Sequence, residues 1–420
     1  MRAGNVSICC VLVLAMACSA VGTANLASAR AGDSAFGLGE TTNMGGDDGA
    51  FDWSVLVYIT ADNDLTDLIQ TDLDELMAVG STPEVNVLAL VDSLYGPAYM
   101  YRILAGDYEL VDWAMNGEEV NMGDPATLTS FIETSDETWP SERKMLFFWD
   151  HGSGIKGVGF DETTADPDPE GGDWLSHQEV VQALTGHKVD IIASDECLVG
   201  QVEVAYEYSL GTQTEYLVAS EGYIGYRGFT YDTILERLTA DPGMSTRDAA
   251  VVITQTFTEY FTTTPYMSEI LTMQSVIDLS LAPQLVDDLM SLTELLCQDI
   301  ETHAALISAA QLSGILPWGE RGNAGVADLK HFAQYIADNS EDASVKAAAQ
   351  TVVDDMSEII VAMGTSKLTQ MFNFEGLGVF FPHSYGNFVS AFGPTVELYE
   401  VFAFANAGWL DFLNTYLGVV

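Results

Sequence analysis

Three shortages frame this 420-residue sequence. Basic side chains are scarce: 14 Lys+Arg stand against 62 Asp+Glu, a formal net charge of -48. A surface of that sign repels phosphate, which excludes nucleic-acid recognition through a general basic face. It favours cationic partners, and it suits high salt, where repulsion is screened. Cysteine is scarce as well. Of five cysteines, Cys9, Cys10 and Cys18 lie near the N-terminus, and only Cys197 and Cys297 remain. Two thiols in a chain of this size are no disulfide framework. Long apolar runs are missing beyond the N-terminus. No later segment has the roughly 18 uninterrupted apolar residues of a membrane span, so the mature chain is expected to be soluble. The 48% of hydrophobic residues still supply a sizeable core.

Several chemistries are missing too. The sequence has no GxSxG elbow, no GxxxxGK[ST] loop and no HExxH helix. His177, His187, His303, His331 and His383 lack metal-ligand spacing. Residues 152–157 spell GSGIKG, a literal GxGxxG, but Gly157, Gly159, Pro167 and Pro169 break the next stretch. A dinucleotide fingerprint needs a helix there to receive the pyrophosphate. The acidic run DETTADPDPEGGD (161–173) has the composition to hold Ca²⁺ but not the order of an EF-hand, and reads as a solvated loop.

The N-terminus reads as an export signal. Arg2 precedes a short uncharged apolar run, Val6 to Cys18, and small residues follow. Ala-Ser-Ala at 27–29 fits ordinary signal cleavage; Ala-Met-Ala before Cys18 loosely resembles a lipoprotein site, which makes Cys18 a candidate lipid anchor. The expected organisation is a signal peptide (1–29), a Gly-rich flexible lead-in (30–50) and one large domain (51–420). The product is expected to be secreted or held at the cell surface, and to act as a monomer.

Periodicity then sets the fold class. SVLVYIT (54–60), VNVLALVD (85–92), KMLFFWD (144–150), VDIIAS (189–194) and EYLVAS (215–220) are apolar runs of strand length. Helical patterns separate them: Leu65, Leu68, Ile69, Leu73 and Leu76 after the first, a Pro125 start after Asp124, a Ser176/Glu179 capping box, and Val202–Leu210. MYRILAG and YELVDWAM suggest a hairpin. Strands alternating with helices predict an α/β fold, a mostly parallel sheet with helices on both faces, over 51–232. Residues 233–420 read as mainly helical, with LTMQSVIDL (271–279) as an extra strand, GLGVFFP (376–382) as a returning strand and LDFLNTYLGV as a closing helix.

Two residues share a topological address. His151 follows the buried strand KMLFFWD and precedes Gly152; Cys197 follows VDIIAS. Ligands of open α/β sheets bind outside the carboxyl ends of strands. The two lie 46 positions apart, about one crossover between neighbouring parallel strands, which would set imidazole beside thiol. The pattern also reads Cys197 as entering a helix N-terminus, where a thiolate is favoured. Asp195 and Glu196 oppose that thiolate and need another use. Cys297, in SLTELLCQDI, reads as an ordinary core thiol.

WSVLVYITADNDL, VNVLALVD, FFWDHGSG and DIIASDECLVGQVEVAYEY, in this order and spacing, resemble the clostripain family of cysteine peptidases, and GLGVFFP resembles its late strand. The resemblance spans about residues 53–420. It implies a caspase-like three-layer sandwich, with 51–232 as the catalytic core. It implies Cys197 as nucleophile and His151 as general acid/base, with the N–H groups of Gly152 and Cys197 as oxyanion hole. Asp195 would then select Arg or Lys before the cut, so the expected substrates are peptides or proteins with a basic P1 residue. No cofactor is needed for that chemistry, although several members depend on Ca²⁺. The family usually has Phe-Asp-Ala-Cys-Leu-Met where this chain has Ser194-Asp195-Glu196-Cys197-Leu198-Val199. Glu196 adds a charge beside the nucleophile, and the alternative expectation is a non-catalytic exported peptide-binding protein on the same fold. The family also resembles a zymogen cut after a basic residue between the two blocks, where this chain offers only Lys156 and Lys188.

Overall fold

The computed structural model describes residues 50–164, 171–314, 325–372, 374–390 and 399–418. The signal peptide, Cys18 and all but the last residue of the lead-in lie outside the described residues.

Strand β1 (Phe51–Ala61) is apolar on both sides, and this fixes its place. Side chains alternate across a strand. Val55, Val57 and Ile59 enter one hydrophobic cluster, while Leu56 and Tyr58 enter another. Only a central strand with helices on both faces can bury both sets. β1 accordingly lies between parallel neighbours β2 (Val85–Ser93) and β5 (Ser141–Trp149). β8 (Ile191–Asp195) runs parallel to β5, and β9 (Tyr216–Ala219) parallel to β8. Antiparallel strands extend both sides: β3 (Gly96–Leu104) and β4 (Asp107–Leu110) beyond β2, β10 (Met273–Asp278) and β12 (Ile360–Thr365) beyond β9. The nine-stranded order is β12-β10-β9-β8-β5-β1-β2-β3-β4. Two small antiparallel pairs complete the strands: β6 (Val158–Asp161) with β7 (Asp173–Leu175), and β11 (Val326–Asp328) with β13 (Gly378–Phe380).

Helices α1 (Ile69–Val79), α5 (Tyr231–Ala240) and α6 (Thr246–Thr263) cover the Val55 face. The Leu56 face carries α2 (Pro125–Thr138), α3 (His177–Ala183), α4 (Val202–Gly211) and most of the C-terminal helices, from α7 (Ala282–Gln298) to the last (Leu410–Leu417). The caps read from sequence are present: Asp124 accepts from Ala126 N–H at 2.8 Å, and Ser176 with Glu179 makes the reciprocal box. The mostly parallel core, with helices on both faces and a helical C-terminal part, is the expected class.

Three local expectations change. Ile360–Thr365 reads as part of the helical half but is a strand, because pairing with β10 outweighs its local pattern. The strand in YELVDWAM ends at Leu110, with one further backbone bond, Val111 N–H to the Met100 carbonyl at 2.9 Å. The 161–173 run is not a solvated loop at its ends: Asp161 is fully buried, and Asp173 pairs with it across β6 and β7. Its centre, 165–170, lies outside the described residues.

Phe147 of β5 is fully buried, with the rings of Phe229 and Tyr231 edge-on at 5.8 and 5.3 Å. Phe147→Ala should lower the unfolding free energy by about 3–5 kcal/mol in a denaturant titration. Tyr95→Ala, at a side chain 82% exposed, should leave it within about 0.5 kcal/mol.

Candidate active site

The chain enters β2 on one side of β1 and β5 on the other, so the sheet's direction of winding reverses between β1 and β5. The carboxyl ends of such strands open a crevice. The turn Asp62-Asn63-Asp64 leaves β1 there, Asp150-His151-Gly152 leaves β5, and Glu196-Cys197 leaves β8. Trp149 is in register with Asp195, the last pair of the β5–β8 ladder. The two backbones touch. A Cβ on Gly152 would fall 2.2 Å from the carbonyl oxygen of Cys197 and 3.0 Å from its nitrogen, so only glycine fits.

Cys197 is reduced, and its Sγ accepts the Ile224 N–H at 3.3 Å. It does not sit at a helix N-terminus: α4 starts at Val202, capped by Gln201, after a turn in which Leu198 takes a left-handed φ of 69°. A leucine at positive φ needs outside restraint. Leu198 N–H donates to the Gly222 carbonyl at 2.8 Å, and Gly200 N–H to that of Ser220 at 2.8 Å. Lacking the helix end, the thiol is pushed up to about 11, mainly by burial, with the charges of Glu196 and Asp195 adding to it against the Ile224 bond.

His151 is partly exposed, and its Nε2 lies 2.8 Å from Asp64 Oδ1. Asp195 is buried. Its Oδ2 accepts from Phe229 N–H at 2.9 Å and the Tyr231 hydroxyl at 3.1 Å, while Oδ1 has no partner. A Cβ on Gly228 would fall 2.4 Å from that carboxylate. Burial raises Asp195 to about 7, helped by the charge of Asp72. Arg227 pairs with Asp72 and Glu75.

Glu196 finds its other use as a tie. Its carboxyl accepts Gly159 N–H at 2.8 Å and the Ser194 hydroxyl at 2.7 Å, joining β6 to the end of β8. Burial raises it to about 8. Asp150, its buried neighbour, is raised well above the carboxylate range by burial and by the Glu196 charge. Asp150 accepts from Asn63 Nδ2 at 2.7 Å and from Phe160 N–H.

Four features escape sequence reasoning. Asn63 bonds Asp150 and the Phe160 carbonyl, both at 2.7 Å, and so links the ends of β1, β5 and β6. Asp64 reaches His151. His177 is buried and lowered to about 4 by burial; it bonds the Tyr208 hydroxyl and the Gly154 carbonyl, each at 2.8 Å, and so fixes the loop after Gly152. Asp62, Asp92 and Glu119 each direct a carboxylate oxygen to one place, all within 4.8 Å of one another, an acidic cluster that could coordinate a metal. The available signal was position: ADND directly follows the first buried strand, and Asp92 ends the second.

A free thiol on Cys197 and a histidine at the neighbouring strand end stand at the switch point of a caspase-like sheet. Residues 57–414 match the family model described as the clostripain family, and the chain belongs to that family. It is 29% identical over 232 residues to clostripain of Hathewaya histolytica, covering 46% of this chain and 44% of that protein, so the match spans less than half of the relative's length. Its fold is similar to a secreted C11 cysteine protease from Bacteroides thetaiotaomicron in complex with an irreversible peptide inhibitor: TM-score 0.62, 16% identity, covering 85% of this chain and 99% of that one. It is also similar to an inactive zymogen C11 protease from Parabacteroides distasonis: TM-score 0.59, 16% identity, covering 85% and 98%. Among the described residues no helix is long and apolar enough to cross a membrane.

The raised Glu196 has a signed consequence. The folded state keeps its proton above the ordinary Glu range, so the stability this proton supplies is complete below about 4.5 and is lost as pH rises through about 8. Glu196→Gln should therefore gain on wild type by about 1.4 kcal/mol per pH unit across that window, read from denaturant midpoints. A constant difference from pH 5 to 9 would refute the buried acid.

Proposed function

We propose that the protein is a secreted cysteine endopeptidase that cleaves after Arg or Lys through an acyl-enzyme. The observation that carries this is the β5–β8 register with Gly152 pressed on Cys197, which brings a histidine and a free thiol to one crevice. Family membership and the names of the relatives support the class and the export.

In this reading His151 takes the thiol proton, with Asp64 stabilising the imidazolium, and the sulfur attacks the scissile carbonyl. The Gly152 and Cys197 N–H groups stabilise the oxyanion. His151 returns the proton to the leaving amine as the C–N bond breaks. Water, deprotonated by His151, then attacks the thioester and releases the acid and the thiol. A thiol near 11 ionises only as an ion pair with the imidazole. Above about 8, ionised Glu196 opposes that pair, which gives activity a basic limb. These steps need no metal; Ca²⁺ is the cation that the oxygen cluster of Asp62, Asp92 and Glu119 suits.

Asp195 sets specificity. Oδ2 is anchored and Oδ1 is free for a guanidinium or ammonium donor, a charge-assisted bond at a site otherwise left unsatisfied. The net charge of -48 draws cationic peptides towards the molecule. The monomer is the working unit. The raised thiol favours a second reading, a peptide-binding protein without turnover, and one experiment separates the two.

Turnover of fluorogenic peptides differing only in P1 Arg or P1 Ala should favour Arg and vanish in Cys197→Ala. Asp195→Asn should lower kcat/KM for Arg at least about a hundredfold and spare Ala. KM for Arg should fall as pH rises through about 7, where Asp195 ionises. Peptide binding without turnover in well-folded wild type would establish the second reading. Gly152→Ala, which must displace the Cys197 backbone, should lower kcat about a hundredfold. Near-wild-type kcat would remove Gly152 from the oxyanion hole.

A further inference from the structure

Cations are scarce in this chain, 14 against 62 acids, and one of them is set largely out of solvent. The side chain of Arg227 is 21% exposed and pairs with two acids of α1, Asp72 at 3.2 Å and, more closely, Glu75. Those acids stand three positions apart, so they share one face of the helix. Both are buried. Two buried acids are costly unless charge and hydrogen bonds compensate them. Arg227 supplies the charge. Trp149 Nε1 donates to Asp72 Oδ2 at 2.8 Å, and Tyr231 N–H donates to Glu75 Oε2 at 3.0 Å. The guanidinium also lies over the Tyr260 ring, 5.8 Å from its centre.

Several of these neighbours also touch Asp195. Trp149 is its partner in the β5–β8 ladder. Gly228, next to Arg227, is so close that a Cβ there would fall 2.4 Å from Asp195 Oδ2. Its φ of 61° and its N–H bond to the Gly225 carbonyl at 2.8 Å make a tight turn. Residues 227–231 are thus tied on two sides. The Arg227 side chain and Tyr231 N–H go to α1, while Phe229 N–H and the Tyr231 hydroxyl go to Asp195 Oδ2.

We infer that Arg227 is a positioning residue of the P1 pocket: clamped by Asp72 and Glu75, it fixes residues 227–231 against Asp195 and offsets the acid charge beside that carboxylate, so that Oδ1 meets a substrate cation. The use of Asp195 for P1 rests on the function proposed above. The clamp acts through charge as well as shape. The titratable and charged groups around Asp195 are Asp72 and Glu75 of α1, Arg227 and Tyr231 of the clamped segment, and Glu196 and Cys197 at its own strand end. Asp72 opposes the ionisation of Asp195. Removing the cation leaves the group one charge more negative and makes Asp195 harder to ionise; removing Asp72 leaves it one charge less negative and makes Asp195 easier to ionise. Two substitutions that break the same ion pair therefore move Asp195 in opposite directions, which a loss of structure alone would not do.

The test titrates the full chain carrying Cys197→Ala with two peptides that differ only in Arg or Ala at P1, by calorimetry from pH 5 to 9. Affinity for the Arg peptide relative to the Ala peptide should rise through about 7, and Asp195→Asn should remove that rise. In Arg227→Gln the rise should move up by at least about half a pH unit, and Arg affinity at pH 7 should fall at least about threefold. In Asp72→Asn the rise should move down by a similar amount, and this variant decides the matter should Arg227→Gln not fold. Arg102→Gln, which removes a cation from the β3–β4 hairpin, should leave the rise in place. A rise unmoved in either folded variant, or moved the same way in both, would overturn the inference. So would a chain that binds the Arg peptide no better than the Ala peptide at any pH. Opposite shifts in a chain whose wild type turns over neither peptide would leave the clamp standing and remove the peptidase reading alone.

Discussion

The parallel pairing of β5 with β8 is the constraint on which the rest depends. Both strands are buried on both faces, so a slip of one residue would exchange every core side chain between the two helix layers. Leu146 and Phe148 belong to one layer, Met145, Phe147 and Trp149 to the other, and Ile191, Ile192 and Ala193 are divided in the same way. The register is therefore set by several large apolar residues, far more firmly than by any polar contact at the strand ends. Because Trp149 opposes Asp195, the chain leaves both strands at one level, and Gly152 meets the Cys197 backbone there. Core packing thus carries His151, Gly152 and Cys197 to one place without spending binding groups to do so.

What polar groups do at those ends is different. Asp150, Asp195, Glu196 and, across the crevice, Asp62 and Asp92 are buried at the carboxyl side of the sheet. That is an unfavourable concentration of like charge. Each is tolerated for a separate reason. Asp150 and Glu196 satisfy backbone N–H groups of Phe160 and Gly159 that would otherwise be orphaned. Asp195 spends one oxygen on Phe229 and Tyr231 and keeps the other open. Asp92 lies beside Asp161, Glu119 and Asp62, and burial with those charges raises it to about 9.

How much of this the sequence discloses follows from range. Buried strands announce themselves locally, and β1, β2, β5, β8 and β9 lie where VYIT, LALV, LFFW, DIIA and YLVA predict them. Once parallel order is granted, spacing brings His151 and Cys197 together. Ile360–Thr365 is not legible, because its strand character comes from β10, more than 80 residues earlier in the chain. The helix N-terminus assigned to Cys197 fails because nothing local signals the turn from Glu196 to Gln201, in which Leu198 must adopt positive φ. Asn63, His177 and the Asp62–Asp92–Glu119 cluster draw their partners from separate elements, and a sequence shows the residues without the meeting point.

Glu196 ties β6 to the end of β8. In its place a small apolar residue would leave the thiol less opposed, but would also leave Gly159 N–H and the Ser194 hydroxyl without their acceptor. Gly159 lies on β6, and β6 ends at Asp161, which borders the acidic cluster. One carboxyl thus connects the strand that leads to Cys197 with the strand that runs beside the cluster. At pH values where Glu196 keeps its proton it gives this connection without repelling a thiolate. The protein can hold an acid next to its cysteine because the same burial that makes the thiol hard to ionise makes the acid hard to ionise as well.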